Sequence, residues 1–184
     1  MSKKLENLLA LHSSLAICGL KPSNLFSYYS ENIEDSIEEI NALNEKYNPK
    51  YYFVIMKQEC KRLLILVYRK ELMEQLLGSK ENADFLSNFG YPHNSNIEEY
   101  INILKEKINA SSEFPHEIGV FLGYDLEDIK SYIEHKACPL MVGYWKVYSN
   151  AEDKKVLFEK YNSCINRVCM MVKNGYSIEN YMKY

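Results

Sequence analysis

The chain has 184 residues, 47% hydrophobic and 26% charged, which is enough to bury about two-thirds of the unfolded surface in a core without disulfides or a structural metal. A formal net charge of −3 does not suggest a nucleic-acid or acidic-polymer partner, so that any basic patch would have to be local, and the longest apolar run, 63–68, is far too short for a membrane span. Glu6, Asn7 and His12 interrupt the apolar stretch a signal peptide requires, and five cysteines without a CxxC pair suit reduced thiols, so a cytoplasmic location is expected.

In chain order, Leu5, Leu8, Leu9, His12 and Ala16 share one helical face over 3–16, and Gly19 and Pro22 end that helix. Residues 24–29 suit an edge strand. Asn32, with Asp35 three positions on, caps a second helix whose stripe is Ile33, Ile37, Ile40, Leu43 and Tyr47; Asn48 and Pro49 stop it. The segment YYFVIMKQECKRLLILVYR over 51–69 predicts a hairpin, and its second run, apolar at every position from 63 to 68, predicts a central strand covered on both faces. Helices are expected over 70–77 and 82–89. Ser95 and Glu98 form a capping box ahead of Ile97, Tyr100, Ile101, Leu104 and Ile108.

FPHEIGVFLGYDLEDIKSYIEH reads as a helical hairpin, entered at Pro115, broken at Gly123 and resumed behind an Asp125 cap with Asp128 at the third position. Residues 140–148 alternate as a further strand, with Trp145 on one face and Tyr144 and Lys146 on the other. A long helix then runs from Asn150 through Leu157, Tyr161, Cys164, Val168 and Met171 to Asn174 and Gly175. No repeat or linker divides the chain, so one domain over 1–184 is expected. The element order lacks strict strand–helix alternation, and the fold class is read as α+β: a small, largely antiparallel sheet, made of the 51–69 hairpin and the 140–148 strand, packed by several helices.

The stretches LHSSLAICGLKPSNLFSY, LLILVYRKEL, FPHEIGVFLGYDLEDIKSYI and GYWKVYSNAEDKKVLFEKYNSC resemble, in order and over most of the chain, the clostridial family called domain of unknown function 3793. The resemblance implies no activity and supplies no catalytic residues.

The candidate site residues therefore come from chemistry alone. His12, on the apolar face of the first helix, is a possible ligand to a cofactor or metal, against the plainer reading of a histidine satisfied by a carbonyl at a helix end. His116 and Glu117 fall in the first turn after Pro115; helix-end electrostatics explain the glutamate, whereas the histidine suits a hydrogen-bond donor, base or ligand. Arg69 closes the central strand, Lys146 sits inside the 140–148 strand and Lys21 lies in the loop after the first helix; with His116 they are expected to converge at one edge or end of the sheet on an anion, while singly each is explained by solvent or a nearby glutamate.

Sixteen tyrosines, Tyr144 among them, with Trp145, could build an aromatic groove for a planar ligand, though packing is the simpler account. No Walker loop, G-x-G-x-x-G, H-E-x-x-H or G-x-S-x-G motif is present, so no metal and no particular cofactor is implied. The reading is a small-molecule or cofactor binding or accessory module for an anionic ligand, with no nucleic-acid or membrane partner. Its alternatives are an enzyme using a pair such as Cys18 with a histidine or His116 with Glu117, and a protein–protein interaction module, including a homo-oligomer, built on the long last helix.

Overall fold

The computed structural model describes residues 1–93, 95–111, 113–134 and 138–183; His135, at the end of the expected helical hairpin, lies outside them. Strands β1 (Ser23–Tyr29), β2 (Tyr51–Glu59) and β3 (Arg62–Arg69) form an antiparallel sheet in the order β1-β3-β2. The fully apolar run is thus the central strand. Leu63, Ile65 and Val67 enter one core and Leu66 and Tyr68 the other, because successive side chains of a strand leave opposite faces.

The first core is covered by α1 (Lys3–His12), α2 (Ser14–Ile17), α3 (Ile33–Tyr47) and α9 (Ala151–Lys173). The second is covered by α4 (Lys70–Leu77), α5 (Lys80–Ser87), α6 (Ile97–Ala110), α7 (Ile118–Phe121) and α8 (Leu126–Ile133). A short α10 (Glu179–Met182) closes the chain. The result is a helix–sheet–helix arrangement, and each buried Leu, Ile or Phe contributes about 1.5–3 kcal/mol relative to exposure. A bulge at Met56 turns that side chain into the second core, and Asn109 of α6 donates to its carbonyl at 2.8 Å.

The α+β class and the hairpin stand, while four details differ. The expected first helix breaks at Ser13 into α1 and α2. The cap of α6 is Asn96, whose side chain accepts from the Glu99 N–H at 2.8 Å, while Ser95 bonds the Glu99 carboxylate instead. Asn150, ahead of α9, adopts left-handed backbone at φ 49° and makes no side-chain cap.

The largest correction concerns 140–148, which does not join the sheet. The third place is taken by β1, an edge strand as expected, and 140–148 folds on itself into β4 (Met141–Val142) and β5 (Lys146–Val147). The cause is Gly143, where a methyl group would meet the Phe158 ring at 2.4 Å; the bare backbone lets the turn settle onto α9. This hairpin also covers Phe158, so the broad apolar face of α9 is in part covered within the chain. Among the described residues, no helix is long and apolar enough to cross a membrane.

Candidate functional site

The α7–α8 hairpin and the β4–β5 hairpin meet around one carboxylate. Asp128, 1% exposed, accepts from the Trp145 indole N–H at 2.7 Å and from the backbone N–H groups of Tyr148 and Ser149 at 2.7 and 3.1 Å. A buried carboxylate is tolerated when donors surround it, and here three of them fasten the small hairpin to α8. Asp125 caps α8 by accepting from the Glu127 N–H at 3.1 Å, and an ion pair to Lys154 at 2.6 Å ties that cap to α9. The Lys154 pairing holds the Asp125 carboxyl below its ordinary range against the opposing effect of burial.

Trp145 is thereby immobilised. Its ring stacks on Tyr124 at 4.8 Å and meets Phe158 edge-on at 4.7 Å. Tyr124 follows Gly123, whose φ of 68° turns the chain between the two helices, and where a side chain would strike Pro22 at 2.6 Å. In front of Trp145 lies a cavity of about 280 Å³ walled by Tyr124, Ile129, Tyr132, Ile118 and Phe114. Two basic side chains stand at it: His116 meets the Tyr132 ring edge-on at 5.1 Å, and the Lys146 ammonium lies 4.9 Å from the same ring centroid.

The other expected residues lie elsewhere. Lys21 does not line this cavity; it is 4% exposed, with its ammonium 5.1 Å from the Tyr124 ring centroid and no carboxylate partner among the described residues. Burial pushes its pKa down to about 8. Arg69 packs its guanidinium over Gly19 and reaches Glu71 at 3.5 Å, with its buried Nε left without a hydrogen-bond partner. The four-cation convergence is therefore corrected to a pair, His116 and Lys146, because the strand end and the β4–β5 hairpin belong to different sheets.

Glu117 turns away from its neighbour into the second core, where it pairs with Lys107 at 3.0 Å and approaches the Tyr91 hydroxyl. The His116–Glu117 pairing is thus not assembled. Tyr144 packs on Phe158 and Tyr161 and donates to Asn162 at 2.8 Å. His12 is exposed rather than on the apolar face of its helix; it stacks over Phe26 at 6.1 Å, and burial of part of the ring lowers its pKa. Cys18 lies against Cys164 on α9, and burial with that thiol pushes its pKa up to about 12, opposite to what a nucleophile needs.

Among the described residues, no group of three His, Cys, Asp or Glu side chains could hold a metal ion. Asp128, Tyr124 and Tyr132 complete the site without being among the residues expected there from sequence. One signal pointed to them: a single tryptophan in an apolar segment needs an acceptor for its N–H, and Asp128 and Tyr132 stand four apart on one helix.

No curated protein and no solved structure matches the chain. A family model described as protein of unknown function (DUF3793) matches residues 9–182, and the chain belongs to that family.

Proposed function

We propose that the protein is a binding module for a compact anionic small molecule with a planar or apolar body, held in the Trp145 cavity. The carrying observation is the meeting of His116 and Lys146 on Tyr132 at a cavity whose other walls are mainly aromatic and aliphatic, the Asp128 carboxylate that also lines it being taken up by the Trp145, Tyr148 and Ser149 N–H groups. Apolar walls with a few convergent polar groups are the usual composition of a small-molecule site. A volume of about 280 Å³ suits a ligand of single-ring size. The body would stack near Trp145 and Tyr124, and the anionic group would take hydrogen bonds from the two basic side chains. Asp128 fixes the tryptophan in advance, so binding need not order it.

Trp145 is the sole tryptophan, so its fluorescence reports on this cavity alone. Titration with benzoate should change that emission saturably, benzamidine should not, and Lys146→Met or His116→Ala should weaken benzoate by about tenfold each, the worth of one charge-assisted hydrogen bond. An emission unchanged at millimolar benzoate, or equal affinity in the Lys146→Met protein, overturns the reading.

A further inference from the structure

The two edges of the three-stranded sheet are finished differently. Along β2 the Asn44 side chain takes both outward backbone groups of Phe53, accepting from its N–H at 2.8 Å and donating to its carbonyl at 2.9 Å. Beyond it stands the bulge at Met56, whose carbonyl is held by Asn109. Bulges and cover of this kind keep an edge strand from pairing with another chain.

β1 has neither. Its ladder to β3 runs without a register shift, and its sequence, SNLFSYY, carries no charge and no proline. The Arg69 N–H donates to the Pro22 carbonyl at 3.0 Å and the Ser30 N–H to the Lys61 carbonyl at 2.9 Å, so the even-numbered residues are those bonded to β3. Bonded and non-bonded pairs alternate in an antiparallel ladder, and Leu25, Ser27 and Tyr29 therefore turn their backbone groups to the free edge. Among the described residues those of Leu25 and Ser27 have no partner, and the Tyr29 carbonyl accepts from the Lys4 ammonium.

This edge runs along a groove of about 970 Å³, between Leu8 and His12 of α1 on one side and Ile108 and Phe114 on the other. The groove shares Phe114 alone with the lining of the Trp145 cavity. Leu11, Tyr29 and Phe114 are between 45% and 58% exposed, and Leu11 falls on the same helical stripe as Lys4 and Leu8. At the open end, Lys57 and Arg62 are both paired with Glu59, at 3.6 and 2.7 Å.

We propose that two copies of this chain pair their β1 strands antiparallel about a two-fold axis at Ser27, joining the two sheets into one of six strands. The register is self-complementary: Leu25 falls opposite Tyr29 of the second copy and Phe26 opposite its Tyr28, so that apolar or aromatic side chains meet on both faces, with the small Ser27 at the axis. A charged side chain near such an axis would face its own like, and β1 carries none. Together with Leu8, Leu11 and Phe114, the paired strand would cover about 600 Å² on each protomer, the lower end of a specific interface. An extended segment of another protein would meet the same backbone groups without this matched register.

Sedimentation velocity from micromolar to submillimolar concentration, with amide hydrogen exchange followed at the same concentrations, tests the pairing. The expected result is a monomer–dimer equilibrium in which the Leu25, Ser27 and Tyr29 amides gain protection as the dimer forms. Ser27→Pro removes an N–H that has no bond within the protomer, and Tyr29→Lys places a charge at an exposed edge position. Each should weaken dimerisation about tenfold or more while thermal unfolding stays cooperative, and Tyr29→Lys carries the test where proline impairs folding. A monomer across the whole range overturns the proposal, whether its edge amides stay open, are covered within the chain or are captured by another peptide. So does a dimer in which those amides exchange as in the monomer, or one that Tyr29→Lys leaves as tight as wild type.

Discussion

Replacing Lys21 by methionine isolates the cost of a buried ammonium. In the native state this side chain is 4% exposed, has no carboxylate partner among the described residues, and holds its ammonium 5.1 Å from the Tyr124 ring centroid. Its pKa falls from 10.5 to about 8 because burial penalises the charged form. At 1.36 kcal/mol per pH unit, that difference corresponds to about 3 kcal/mol of stability withheld from the protein at neutral pH.

The unfolded chain binds this proton more tightly than the native state, so stability rises with pH between about 8 and 10.5 and is flat below that window. Methionine keeps much of the stem's packing and removes the charge, at the loss of a cation–π contact of about 0.5–2 kcal/mol. Urea unfolding near pH 7 should therefore find Lys21→Met more stable than wild type by about 1–3 kcal/mol, and the gap should shrink by about 2 kcal/mol near pH 9.5. Tyrosine ionisation at the higher pH is common to both proteins and cancels in the difference. A variant less stable than wild type near pH 7, or a gap independent of pH, refutes the reasoning.

Asp128→Ala strips three donors of one buried acceptor and should cost about 3 kcal/mol or more, with a red shift of Trp145 emission as the small hairpin detaches; unchanged emission would show that the hairpin is held by packing alone. Gly143→Ala drives a methyl group to within 2.4 Å of the Phe158 ring and should lose about 1–3 kcal/mol in urea unfolding, whereas a neutral effect would mean that the turn can lift from α9 without cost. Iodoacetamide at neutral pH, read by peptide mass spectrometry, should modify the exposed Cys60 and Cys138 well before Cys18, whose pKa of about 12 leaves almost no thiolate; early labelling of Cys18 would contradict its placement.

Local signals settled much of the fold from sequence. The unbroken run at 63–68 announced a strand covered on both faces, and the caps at Asn32 and Asp125 announced helix starts, because these depend on neighbours a few residues apart. The 140–148 segment misled because its alternation is that of a strand, while its fate turned on Gly143 meeting Phe158 and on Asp128 reaching Trp145, contacts between residues 15 and 17 positions apart that periodicity does not encode. His116 and Lys146 were legible as chemistry-bearing residues, but their meeting on Tyr132 required α8 and the β4–β5 hairpin to dock. Lys21 and Arg69 were equally visible as cations; the tertiary structure alone sent one beneath Tyr124 and the other over Gly19, since charge can be read from a residue and its surroundings cannot.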